Sequence, residues 1–298
     1  MTAVPVLRVD AFTDRPFAGN PAGVVLDADG LAEPTMQAIA AEMNLADTAF
    51  LSGPARPGAR PRLRWFTPSR EVRYCGHATV ATVHALIEAG RLAGPRVVFD
   101  TLGGELAVEV ERDGAGVVIW LDPAVPELRP APPEADAIAA DLGLHPASRG
   151  TWAAAAVTPD GDLLLPAAGL AATGALAPEM GTLGQRAAAA GLRGVCVVSR
   201  ETVDTGSTTH CRFFAPHFGI PEDPVTGSVH SSIAVWLLER GLLRVANGHA
   251  SFVGEQGDGL GRPGRLRVRV DVTAGRATRV RVGGRAVTVM AGRLRLPA

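Results

Sequence analysis

The feature that most constrains this chain is an internal repeat. One motif, Cys75-Gly76-His77-Ala78-Thr79, opens a long apolar run, and a second, Thr226-Gly227-Ser228-Val229-His230, opens another. With Gly76 aligned on Gly227, residues 86–92 match residues 237–243 without a gap. The offset is 227 − 76 = 151 residues in a chain of 298. Self-similarity over half the chain predicts two copies of one structural unit.

A second match lies upstream of each motif. Arg64-Trp65-Phe66-Thr67-Pro68 aligns with Arg212-Phe213-Phe214-Ala215-Pro216, so each copy carries a strand before its apolar helix. The segment 123–133 contains five prolines and predicts a linker between the copies. We therefore expect an α+β fold of two pseudo-repeated lobes, each a mixed β-sheet or barrel around a central helix. The N-terminal lobe would cover residues 1–122 and the C-terminal lobe residues 123–285.

Both apolar helices begin at a motif rich in glycine and hydroxyl groups. The first N–H groups of a helix lack partners within the helix, and its dipole attracts anions to that end. We expect a cleft between the lobes that receives both helix N-termini and holds a carboxylate. The alternative is that Thr226 or Ser228 simply caps an ordinary core helix.

Composition excludes several classes of function. Hydrophobic residues make up 47% and charged residues 20%, with a net charge of −1, so neither a nucleic-acid nor a membrane partner is expected. No apolar run reaches about 18 residues, the length that spans a bilayer. Three cysteines form no disulfide framework and favour a reducing, cytoplasmic location. Because every basic residue is arginine, Schiff-base chemistry is excluded.

Motifs along nearly the whole chain resemble the phenazine-biosynthesis isomerase (PhzF-like) family. These motifs are Val9-Asp10-Ala11-Phe12-Thr13, Phe17-Ala18-Gly19-Asn20-Pro21-Ala22-Gly23, Glu42-Met43-Asn44-Leu45, Cys75-Gly76-His77-Ala78-Thr79 and Glu222-Asp223-Pro224-Val225-Thr226-Gly227-Ser228. The resemblance implies the diaminopimelate epimerase-like fold, in which the final strand, about 286–298 here, completes the first lobe. That implication agrees with the repeat.

The resemblance also implies a function. PhzF-like enzymes move a proton, and with it a double bond, on a small carboxylated metabolite without a cofactor or a metal, as in dihydro-hydroxyanthranilate during phenazine biosynthesis. We expect such an isomerase in secondary-metabolite biosynthesis, as a homodimer. A second substrate class is an unsaturated cyclic amino acid of an antibiotic pathway.

Three residues are the expected catalytic set. The family's glutamate base falls on Asp47, in Ala46-Asp47-Thr48-Ala49-Phe50, while its histidine and aspartate fall on His77 and Asp223. Aspartate is shorter by one methylene, and a displacement of about 1 Å costs on the order of 100-fold in rate. Either the substrate sits closer here, or the chemistry differs, or activity is lost. In the last case the chain is a non-catalytic small-molecule binder, and without the resemblance Asp47 is a turn residue at a strand edge.

The roles of the remaining residues follow from the same motifs. His77 would hydrogen-bond an oxyanion, and Asp223 would orient His77 or a substrate amine. Ser228 and the neighbouring N–H groups would bind the carboxylate. The expected substrate-binding residues are Asn20, Gly76, Cys75, Thr226, Gly227 and Ser228.

Two alternatives are disfavoured. Racemases of this fold oppose two thiols, but Cys75 faces Thr226 in the repeat, and a threonine hydroxyl cannot serve as the second base. Cys75 then serves as a small packing residue. The second is a metal site built from histidines. The spacing between His77 and His84 matches no metal-ligand pattern, and neither do the spacings among His210, His217 and His230, so no metal is predicted.

Overall fold

The chain divides into two compact units. The computed structural model describes residues 3–54, 59–92 and 94–296. The ends of the predicted N-terminal lobe, residues 1–2 and 297–298, therefore lie outside the described residues. The first unit is Met1–Leu121 with Gly283–Ala298, and the second is Asp122–Val282.

The described residues of the first stretch of chain form eight strands and two helices. They are β1 (Ala3–Ala11), β2 (Asn20–Val25), α1 (Glu33–Met43), β3 (Asp47–Ser52), β4 (Arg62–Phe66), β5 (Glu71–Val72), α2 (Gly76–Glu88), β6 (Arg96–Thr101), β7 (Gly104–Asp113) and β8 (Gly116–Leu121).

The remainder forms ten strands, four α-helices and three short 3-10 helices among the described residues. They are β9 (Arg129–Pro130), α3 (Ala135–Asp141), a 3-10 turn at Pro146–Ser148, β10 (Ala156–Val157), β11 (Asp162–Pro166), α4 (Leu170–Gly174), α5 (Met180–Ala189), β12 (Gly194–Ser199), β13 (Thr209–Ala215), a 3-10 turn at Pro216–Phe218, β14 (Ile220–Asp223), α6 (Gly227–Glu239), β15 (His249–Gln256), a 3-10 turn at Asp258–Leu260, β16 (Gly264–Thr273), β17 (Arg276–Gly284) and β18 (Ala286–Arg295).

The two units share one order of strand pairing. In the first, β2 and β3 run parallel, β3, β4 and β5 pair antiparallel, and β4 pairs parallel with β6. In the second, β11 and β12 run parallel, β12, β13 and β14 pair antiparallel, and β13 pairs parallel with β15. The predicted α+β fold, with one mixed-sheet unit built twice, is confirmed.

The repeated helices match residue for residue. Both α2 and α6 have 13 residues, and they begin at the aligned Gly76 and Gly227. Apolar residues surround each helix almost completely, which is the pattern of a helix buried on most sides. Accordingly α2 packs on β1, β2, β3, β8 and β18 within its own unit, and α6 packs on β16.

The last strand belongs to the first unit. Along its length β18 pairs antiparallel with β1, from Ala3 opposite Arg295 to Ala11 opposite Ala286. Elsewhere in this unit, α1 ends at Asn44 in the left-handed conformation, with φ of 47°, as the sequence predicts. No helix of the described residues combines the length and apolar character needed to cross a membrane.

Candidate active site

The first unit places a mostly shielded aspartate at the start of a strand. Asp47 opens β3 and lies opposite Ala22 of the parallel neighbour β2. Its side chain is only 14% exposed. Asn20, fully buried, opens β2 two residues before Ala22, so both polar side chains belong to the same end of this strand pair. Asp47 thus lies at the edge of a strand, with a side chain that is mostly withdrawn from solvent.

His77 extends from the start of α2 towards this carboxylate. Its Nε2 atom lies 3.8 Å from Asp47 Oδ2, and its Nδ1 atom lies 3.4 Å from Cys75 Sγ. Burial lowers the pKa of the His77 imidazole from 6.5 to about 4. At neutral pH the contact therefore joins a carboxylate to a neutral ring, which can polarise or hydrogen-bond a substrate oxygen.

The start of α2 keeps its N–H groups clear of side-chain caps. Cys75 occupies the N-cap position in an extended conformation and makes no side-chain cap hydrogen bond. Its carbonyl instead accepts from the Thr79 hydroxyl at 2.6 Å. With Gly76 as the first helical residue, the helix end has the N–H groups and dipole that favour an anion.

The start of α6 also lacks a side-chain cap. Thr226 is the N-cap residue, yet its hydroxyl donates to Asp223 Oδ2. The alternative that Thr226 simply caps the helix is therefore not realised, because a carboxylate three residues earlier is the stronger acceptor. Ser228 makes no cap either: its hydroxyl oxygen accepts from Arg193 at 3.2 Å.

Gln256, from β15, fixes the segment between Asp223 and Thr226. Its amide nitrogen donates to the Asp223 carbonyl at 2.7 Å and to the Thr226 hydroxyl at 3.0 Å. Its oxygen accepts from the Thr226 N–H at 3.0 Å and from the Cys211 thiol at 3.5 Å. This fully buried amide thus holds the backbone around a predicted site residue.

Arg193, like Gln256, is not predicted from the sequence. Its guanidinium makes a two-point contact with Asp162, whose side chain is fully buried, and also reaches Ser228. A cation at the start of α6 favours an anionic ligand there. Neither Arg193 nor Gln256 belongs to a motif, and only the strand pairing brings each to this helix.

The histidines considered as metal ligands separate in the structure. His84 pairs with Glu88, His210 with Asp258, and His217 packs on Phe218. His230 contacts the Thr226 carbonyl through Nδ1 at 2.9 Å and lies 3.9 Å from Cys211 Sγ. Cys211 and Cys196 are buried on β13 and β12.

Comparison with known proteins places the chain in a family. The family model described as phenazine biosynthesis-like protein, PhzC-PhzF, matches residues 9–292. The chain is a member of that family. An uncharacterized isomerase of Pseudomonas aeruginosa is 39% identical to this PhzC-PhzF chain over 296 residues, covering 98% of each. The predicted isomerase class is thereby confirmed.

Solved structures agree with the family assignment, and more distant ones share the fold. A PhzF-family phenazine biosynthesis protein of Bacillus anthracis is 27% identical to this PhzC-PhzF member, covers 99% of it and 100% of its own chain, and has a TM-score of 0.90. A hydroxyproline epimerase of Agrobacterium vitis is 13% identical, with a TM-score of 0.59. The match covers 99% of this chain and 91% of the epimerase, and it shows a shared fold alone.

Proposed function

We propose that this PhzC-PhzF protein is a cofactor-independent isomerase that relocates a proton, and with it a double bond, on a small carboxylated metabolite. The observation that carries the proposal is the mostly shielded Asp47 carboxylate, 14% exposed and 3.8 Å from a neutral His77 imidazole. Asp47 removes a proton from one carbon and returns it to another. His77 stabilises the oxygen on which negative charge develops.

The position of Asp47 suits it to this task, because its side chain is only 14% exposed and its carboxylate lies 3.8 Å from the His77 ring. His77 suits its task because a neutral ring donates a hydrogen bond without competing as an acid. The N–H groups at the start of α2 supply further positive potential for the carboxylate of the substrate.

The second unit has its own polar group at the start of α6. There Asp223 would bind an amine, and Ser228 with Arg193 would bind a carboxylate. The proposed metabolic setting is secondary-metabolite biosynthesis, with dihydro-hydroxyanthranilate or an unsaturated cyclic amino acid as the two substrate classes to test first.

The test is solvent exchange. Each candidate substrate is incubated with the protein in deuterated buffer, and deuterium at carbon is followed by NMR and mass spectrometry. We expect incorporation with the wild-type protein and none with Asp47→Asn. Asp29→Asn is the matched control, because this carboxylate accepts the Gly53 N–H in an exposed contact. Binding by calorimetry without any deuterium would instead establish a non-catalytic binder.

A further inference from the structure

Three side chains of different donor type converge at the start of α2. The ligand atoms of Asp47, Cys75 and His77 all lie within 4.8 Å of one another. We propose that this cluster binds a thiophilic divalent transition metal of the Zn²⁺ class, and that the bound ion switches off proton transfer by Asp47 and His77. The binding half of the proposal is independent of the isomerase function, whereas the inhibition half rests on it.

The distances suit a tetrahedral ion that binds through His77 Nε2. Cys75 Sγ lies 4.0 Å from that nitrogen, and Asp47 Oδ2 lies 3.8 Å from it. Zinc bonds of about 2.3 Å to sulfur and 2.0–2.2 Å to nitrogen and oxygen place the ligand atoms about 3.4–3.6 Å apart at tetrahedral angles. A contraction of about half an ångström brings these two edges to the tetrahedral values, and the third edge, from Cys75 Sγ to the Asp47 carboxylate, starts within 4.8 Å.

The donor types select the metal. One thiolate, one imidazole and one carboxylate form a set that suits Zn²⁺ and its neighbours, whereas Mg²⁺ and Ca²⁺ require oxygen ligands. Binding converts the Cys75 thiol to a thiolate and releases its proton to the buffer. The two negative ligands then balance the charge of the ion, so the complex is neutral in a site where Cys75 is only 6% exposed. The fourth position remains open to water or to an oxygen of a ligand.

In a second cluster of possible metal ligands, an arginine already pairs with the acidic side chains. His210, Glu255 and Asp258 are also grouped within 4.8 Å. There the Arg265 guanidinium donates to both Asp258 oxygens at 3.1 Å and lies 3.7 Å from Glu255. The arginine already supplies the cation, so these residues carry no metal proposal.

Metal binding and proton transfer compete for the same atoms. Asp47 Oδ2 and His77 Nε2 are the groups of the proposed isomerase, and an ion holds both as ligands. A carboxylate bound to Zn²⁺ loses its basicity, and a metal-bound Nε2 cannot donate a hydrogen bond. The protein would therefore lose activity when the metal binds and regain it when a chelator removes the metal.

Cobalt spectroscopy tests the binding half. Metal-free protein is titrated with Co²⁺, and we expect a thiolate-to-cobalt charge-transfer band together with the intense visible bands of tetrahedral cobalt. In Cys75→Ser the charge-transfer band should vanish. Its Zn²⁺ affinity by competition should fall more than about 100-fold, because changes to outer-shell groups alone cost 10–100-fold. His84→Asn and His210→Gln are the controls and should leave the spectrum unchanged. A thiolate-to-cobalt charge-transfer band that persists in Cys75→Ser, or that vanishes in His210→Gln, would overturn the site.

Exchange assays test the inhibition half. Stoichiometric Zn²⁺ should stop deuterium incorporation in the wild-type protein, and EDTA should restore it. In Cys75→Ser the zinc concentration that halves the rate should rise more than about 100-fold. Unchanged exchange with a saturated metal site would contradict the inhibition. If no substrate exchanges at all while the cobalt spectrum depends on Cys75, the isomerase proposal fails and the metal site stands.

Discussion

The Arg64 guanidinium and the Glu71 carboxylate form a two-point ion pair, with Nε and NH2 each 2.7 Å from a carboxylate oxygen. The repeat reproduces it: Arg212 meets Glu222 through the same two nitrogens at 2.9 Å. Each arginine also lies over a phenylalanine, at 5.0 Å from the ring centroid in both units. The two units therefore share this ion pair and its arginine–phenylalanine contact as well as their order of strand pairing.

We predict that Glu71→Gln lowers the free energy of unfolding by about 3 kcal/mol, because it removes the more buried of the two carboxylates that pair with the mostly buried Arg64 guanidinium. Glu33→Gln is the matched control. It removes a second partner of the same Arg64, but Glu33 is 65% exposed, so the expected loss is below about 1 kcal/mol. Urea denaturation measures both, and equal losses would refute the argument from burial.

Asp47→Glu tests whether the site is adapted to the shorter acid. The longer side chain moves its carboxylate by about 1 Å, which costs on the order of 100-fold in rate where the substrate fits aspartate. We therefore expect slower but measurable deuterium exchange, in contrast to Asp47→Asn. Faster exchange in Asp47→Glu would instead indicate a site built for glutamate that has lost activity.

The sequence predicts the parts of the site that rest on local chemistry. Gly76 and Gly227 mark the helix starts because an apolar run of helical length follows each of them. Asn44 ends α1 because asparagine tolerates the left-handed conformation. Where two local acceptors or donors compete, the sequence leaves the choice open: the Thr226 hydroxyl donates to Asp223 instead of capping α6.

Contacts that depend on strand pairing lie beyond sequence reasoning. Gln256 reaches Thr226 across 30 residues, and Arg193 reaches Ser228 across 35. Neither contact leaves a local pattern, because each requires a sheet that brings a distant strand to the helix. The Asp47–His77 pair spans 77 − 47 = 30 residues, and the family resemblance, not the spacing, made it predictable.

The burial of His77 should appear in the pH dependence of stability. The unfolded chain takes up the proton near pH 6.5, but the folded protein does so only near pH 4. Between these values the unfolded state binds more protons, so stability falls as the pH falls. The loss attributable to this residue approaches about 3 kcal/mol at pH 4 and is absent above about pH 7.

His77→Asn removes this titration, and we expect its unfolding free energy to vary less between pH 7 and pH 4 than that of the wild-type protein. Chemical denaturation in the presence of EDTA at several pH values measures the difference. Parallel profiles for the two proteins would show that His77 is accessible to protons in the folded state.

A close backbone approach next to Asn20 predicts a contrast between two glycines. Gly19 has φ of +60°, and an added Cβ would lie 2.1 Å from the Ala11 carbonyl oxygen. Gly30 has φ of +77° with no atom within 4 Å of such a Cβ. Gly30→Ala should cost about 1–2 kcal/mol from the backbone conformation alone. Gly19→Ala should cost more and lower the melting temperature further than Gly30→Ala does. Similar melting temperatures for the two variants would show that β1 can move away from the added Cβ without loss of stability.

The last prediction concerns the amide that holds the start of α6. Gln256→Leu keeps a side chain of similar length but removes every hydrogen bond to Asp223, Thr226 and Cys211. A buried group left without its partner costs about 1–3 kcal/mol, so we expect a loss of about 2–4 kcal/mol together with faster hydrogen exchange at the Thr226 amide. Gln37→Leu, which removes a single bond to the Thr67 carbonyl, is the control and should cost no more than about 1.5 kcal/mol. If the two variants were equally stable and the Thr226 amide stayed protected, another group would have to hold this segment in place.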